Sequence, residues 1–177
     1  MNSEFVAFPP KPVTRELYLI GFRVDPSAEV PQFYTLMGEE GESERPIAKG
    51  GRVLFFAHPH DALRALAASD NGFADFRPVP RELELLCDIG GALYVANAEP
   101  TDADGILFEA IAVFDDLLSA AKISVPPEYS RVLRQVAERL GESAEFASVL
   151  GEGGREKLED ALMWCVGAVM VKSTWVK

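Results

Sequence analysis

Hydrophobic residues follow two rhythms along this chain, alternating near the N-terminus and recurring with helical spacing beyond residue 104. Between Glu16 and Val24, Tyr18, Ile20, Phe22 and Val24 fall on one face and Leu17, Leu19 and Arg23 on the other, the period-two pattern of a strand. Asp25-Pro26-Ser27 supplies turn chemistry, and Gln32 to Met37 predicts a second short strand, followed by an acidic loop that Gly50-Gly51 closes. The run Arg52 to Ala57, RVLFFA, is apolar on both faces, as suits a central strand covered on each side. His58-Pro59-His60-Asp61 then opens a helix over ALRALAAS, with proline at the first helical position and an acid in the first turn, and Gly72 marks its end.

The stretch Arg81 to Asn97 supports two readings. Leu83, Leu86, Gly90 and Leu93 keep helical spacing, whereas LELLCDI-GG-ALYVAN also suits a hairpin about Gly90-Gly91. A helix is expected, and its two interior glycines then require another element packed close to them. From Asp104 the helical signal is clear, with Leu107, Ala110, Ile111, Phe114, Leu118 and Ala121 in one stripe and Asp102 and Asp104 placed to cap it. Pro126-Pro127 breaks the chain before a second amphipathic helix of Tyr129, Val132, Leu133, Val136 and Leu140 that stops at Gly141. Ser143 to Leu150 predicts a short helix, Gly151 to Gly154 a break, and Arg155 to Val171 a long last helix. These elements describe an α+β fold: a small N-terminal antiparallel or mixed β-sheet with one packed helix, followed by a mostly α-helical C-terminal part. Residues 1–80 form the β-rich part and 81–177 the helical part, packed together as one compact unit, with Phe73 to Arg81 as the linker.

Charge narrows the function. An excess of 28 acidic over 17 basic residues, a net charge of -11, repels phosphate backbones and anionic lipid, so neither nucleic acid nor membrane is an expected partner. Arg131, Arg134 and Arg139 share one helix but have no reading motif beside them, and read as solvated surface. The two cysteines, Cys87 and Cys165, each sit among apolar residues and read as small buried hydrophobes, which fits a reducing compartment. The opening MNSEFVAFPPKPV lacks the basic start and apolar run of a signal peptide, and the cytoplasm is the expected location.

Candidate chemistry is sparse. His58, His60 and Asp61 are the one cluster suited to a metal or to proton transfer, although Pro59 turns the two imidazoles apart and no third histidine or thiol lies nearby in sequence. Glu99 to Gly105 imitates the start of a calcium loop, but with Gly105 at the sixth place, Pro100 and Ile111 stand where oxygen ligands are needed. Glu109 and Asp116 lie two turns apart, about 10 Å, too far for a shared proton, and with Asp115 they read as a solvated stripe. Ser119-Ala120-Ala121-Lys122 has the serine-lysine spacing of penicillin-binding enzymes without their companion motifs. No cofactor motif is present, and no cofactor is expected.

The leading expectation is therefore a non-catalytic binding or regulatory protein that engages a basic protein partner through the loop acids Glu39, Glu40, Glu42 and Glu44. The alternatives are a small metal-assisted enzyme at His58, His60 and Asp61, and a small-molecule sensor with a pocket between sheet and helices lined by Tyr18, Phe55, Phe56 and Phe114. The last helix is apolar around most of its circumference. Met163, Trp164 and Met170, with Trp175 beyond it, are accordingly expected at a homodimer contact.

Overall fold

The computed structural model describes residues 15–41, 43–70, 72–73, 76, 79–97, 104–141 and 153–177. The expected leader, Glu42, Glu99 to Asp102 and the predicted short helix Ser143 to Leu150 lie outside them. The alternating segment forms β1 (Arg15–Arg23), which pairs antiparallel with β2 (Phe33–Glu40) from Arg15↔Glu40 to Phe22↔Phe33. Asp25 makes the intervening turn by accepting hydrogen bonds from the Ser27 amide and hydroxyl. β3 (Ser43–Pro46) and β4 (Ala48–Lys49) follow along one edge, and β5 (Arg52–Phe56) is the RVLFF run. A single 3-10 turn (Pro59–Asp61) leads into α1 (Ala62–Ala68).

The rest of the chain returns twice to the same sheet. β6 (Leu85–Asp88) joins β1 in parallel, and β7 (Ser173–Val176) joins β5 in parallel, to give a mixed seven-stranded sheet. Residues 81–177 thus supply two strands as well as the helices α2 (Ile89–Asn97), α3 (Asp104–Ala120), α4 (Pro127–Gly141) and α5 (Gly154–Val171).

The helix expected from Arg81 to Asn97 starts only at Ile89. Residues 85–88 are a strand because LLCD places Cys87 in the core beneath α3 and leaves its backbone to pair with Ile20 to Arg23. The two glycines fall in the first turn of α2 rather than mid-helix, and the close packing expected of them is present: a Cβ on Gly90 would meet the turn after β1, and one on Gly91 the Asp88 carboxylate. Asp88 accepts the Gly91 amide at 2.9 Å and is bridged by Arg23. Burial opposes ionisation of Asp88, but Arg23 and the Gly91 N–H together hold its carboxyl below the usual range.

Alternation along each strand sorts the core into two layers. Ile20, Phe22, Phe33, Met37, Val53 and Phe55 face α2, α3 and α5, whereas Leu17, Leu19, Leu36, Leu54 and Phe56 face α1 and the buried rings of Phe73 and Phe76. Phe73 and Phe76, within the stretch expected to be a linker, therefore cover part of one face of the sheet. Every member of the expected α3 stripe is buried. α4 rests on α3 and α5 and forms an outer helical layer. At the far end, Arg52 fastens β7: its Nη2 donates to the Val171 carbonyl (3.0 Å), its Nε to the Ser173 carbonyl (3.1 Å) and to the Thr174 hydroxyl (3.0 Å).

Candidate functional site

The acidic segment that the sequence presents as a loop is largely a β-hairpin, β2 turning into β3 at the left-handed Gly41. Register places Glu39 opposite Glu44 and Glu40 opposite Ser43. Glu40 is neutralised: its carboxylate meets Arg15 at 2.9 Å and Arg45 at 3.6 Å. Glu44 accepts a hydrogen bond from the Tyr18 hydroxyl of β1. Because β3 packs against α3, Glu44 also confronts Asp116, which is half-buried there. Burial, then the charges of Glu44 and Asp115, push the Asp116 carboxyl up to about 6. Burial and the hydrogen bond to Glu44 likewise push the Tyr18 phenol up, with Asp116 and Glu39 adding to the effect. Glu39, Glu44 and Asp116 thus crowd one end of the sheet, with Asp115 beside Asp116 on the exposed side of α3, and Asp116 can hold a proton close to neutral pH.

The fold resembles that of the C-terminal domain of SatS. That domain, whose crystal structure was determined in complex with bromine, superposes with a TM-score of 0.54 at 13% identity, over 90% of this chain and 94% of its own. At such identity the likeness concerns the fold alone. Neither a protein-family model nor a curated protein matches this sequence.

The remaining expected sites lie apart from the hairpin in sequence. The imidazoles of His58 and His60 do not diverge as expected: they stack at 5.2 Å between centroids, bracketing Pro59 as it opens the 3-10 turn. Asp61 is buried, paired with Arg64, and 3.5 Å from His60 Nε2. Its carboxylate is thereby committed to a guanidinium, and among the described residues no group of three or more His, Cys, Asp or Glu is placed to hold one metal ion. No helix among the described residues is long and apolar enough to cross a membrane.

A void of about 170 Å³ does lie between the sheet and the helices, lined by Phe22, Phe33, Phe55 and Phe114 among others. Of the aromatics expected there, Phe55 and Phe114 are present, Tyr18 is not among the lining residues, and Phe56 belongs to the opposite face of the sheet. The void is smaller than the ~300 Å³ at which ligand pockets begin.

Of the four residues expected at a homodimer contact, Met163 and Met170 are exposed on α5, while Trp164 is half-buried against Tyr129 with ring centroids 6.1 Å apart. Trp175 lies in β7, with one face toward Phe33 at 5.5 Å and Phe55 at 6.0 Å.

The sequence held the acids of the hairpin but missed Tyr18 and Asp116 as their neighbours. Asp116 reads as solvated in the helical pattern, and only the packing of β3 on α3 brings it to Glu44. The signal available was the polar hydroxyl of Tyr18 on the core face of β1, which demands a partner when half-buried.

Proposed function

We propose that the protein is a non-catalytic binding protein whose acidic hairpin, with the adjoining part of α3, takes up a basic segment of a protein partner. The observation that supports this reading is the crowding of acids at the hairpin: Glu44 stands opposite Glu39 in register and beside the half-buried Asp116, and among the described residues neither Glu44 nor Asp116 has an ion-pair partner, whereas Glu40 has two arginines. A lysine or arginine brought to Glu39, Glu44 and Asp116 relieves that repulsion, so a part of the binding energy is already stored as mutual repulsion in the free protein. Neutralising rim charges acts mainly on association rate and salt dependence.

The test is affinity capture from the native host, with wild-type protein beside a variant carrying Glu39→Gln, Glu40→Gln, Glu42→Gln and Glu44→Gln. A basic protein is expected on the wild type, with capture weakening as salt rises and falling about tenfold or more on the variant. Capture that is indifferent to both treatments overturns the reading.

A further inference from the structure

A second concavity opens on the other side of α3, away from the sheet. α3, α4 and α5 enclose a cavity of about 350 Å³, walled by Ile111, Leu118, Leu133, Ala137 and Leu162, with Cys165 also lining it. This is large enough for about a dozen non-hydrogen atoms at roughly 30 Å³ each, and it falls in the range of small-ligand sites. Three polar side chains line it as well: Asp115, Ser130 and Arg134.

Their states differ. Arg134 has Glu138 one turn along α4, at 3.9 Å, and is largely solvated. Asp115 has no hydrogen bond or ion pair among the described residues. Its negative field reaches the cavity wall, where burial and then the Asp115 charge push the Cys165 thiol up to about 12. Phe108 stands two turns before Asp115 on the same side of α3, and its ring lines the cavity while remaining 43% exposed. An open carboxylate and an aromatic ring at the mouth of an apolar cavity, in a protein of net charge -11, are complementary to a cation on an apolar body.

The geometry points to this cavity as a binding site for a small apolar molecule ending in an ammonium group, its body between α3, α4 and α5 and its cation between the Asp115 carboxylate and the Phe108 ring. The site is independent of the hairpin's proposed role.

Decylammonium, decanol and decanoate, titrated separately into the full chain below their aggregation concentrations, distinguish the chemistry of the head from that of the body. Calorimetry is expected to show saturable one-to-one binding in the order ammonium, alcohol, carboxylate. Asp115→Asn is expected to weaken decylammonium about tenfold and leave decanol unchanged, and Ala137→Trp, which fills the cavity, to abolish both. Arg134→Gln, at a solvated position that does not threaten folding, should leave decylammonium binding intact or tighten it. Glu39→Gln, outside the cavity, should leave it unchanged, which separates this site from the acidic hairpin. Absence of saturable binding by all three probes, a preference for decanoate, or an ammonium-to-alcohol ratio that Asp115→Asn does not move would each overturn the assignment.

Discussion

Replacing a helical glycine by alanine should have opposite effects at two positions of this protein, and the difference follows from space alone. Alanine favours a helix over glycine by about 1 kcal/mol. In α5, a Cβ on Gly167 meets nothing within 4 Å, so Gly167→Ala should raise stability by about 0.5–1 kcal/mol. In the first turn of α2, a Cβ on Gly90 would lie 2.8 Å from Pro26 Cδ, 3.0 Å from Pro26 N and closer still to the Val24 carbonyl oxygen. Those are atoms of a fixed turn, not the end of a flexible side chain. The helix must move away from β1, and overpacking against such atoms costs about 2–3 kcal/mol, the upper part of the usual range and more than propensity returns. Gly90→Ala should therefore lose about 1–2 kcal/mol net. In urea denaturation with a slope near 2 kcal/mol/M, the midpoints should move by roughly -0.5 to -1 M for Gly90→Ala and +0.3 to +0.5 M for Gly167→Ala. A Gly90→Ala variant as stable as the parent would refute the close approach of α2 to the turn after β1. A loss of stability in Gly167→Ala would mean that the outer face of α5 is covered.

Two further outcomes follow from the charged groups. The raised Asp116 carboxyl means that the folded state holds a proton there up to about pH 6 while the unfolded chain, at 3.8, has released it; stability from this group is therefore greatest in acid and falls as pH rises through 6. Asp116→Asn should thus stabilise the protein at pH 7.5, by on the order of 1 kcal/mol after solvent screening, and give no gain at pH 4, as read from melts at the two pH values. Arg52→Met removes the charged hydrogen bonds to Val171, Ser173 and Thr174 and should cost about 2–3 kcal/mol; in a Trp164→Phe background, Trp175 emission should shift to the red and become more quenchable as β7 loosens from Phe33 and Phe55.

Local pattern carried much of this architecture. β1 and β5 were legible because alternation or a run of large apolar residues matches their burial, and α3 because its stripe is regular over about four turns. β6 was not legible: its leucines satisfy helical and extended spacing equally, and the choice is made by β1, a partner more than sixty residues earlier. β7 is four residues long and gains its identity from β5 alone. Glu39 and Glu44 were visible as acids, but whether an acid is neutralised, like Glu40, or crowded, like Glu44, depends on Arg15 and Asp116 arriving from other elements. The cavity among α3, α4 and α5 was invisible for a similar reason. Its lining residues, Leu133 and Leu162 among them, look like ordinary core positions in each helix, and only the way the three helices cross leaves the space unfilled.

The parallel pairing of β7 with β5 also sets an order of events during synthesis. Arg52 lies 121 residues before Ser173, whose carbonyl its side chain holds, so β5 leaves the ribosome long before the strand that closes its edge exists. Until then RVLFF offers a low-charge, β-prone stretch with one row of backbone groups unpaired, the composition from which intermolecular sheets grow. The interval in which this protein is most exposed to aggregation is thus dictated by its topology, and it ends only when the strand that begins at Ser173 has docked.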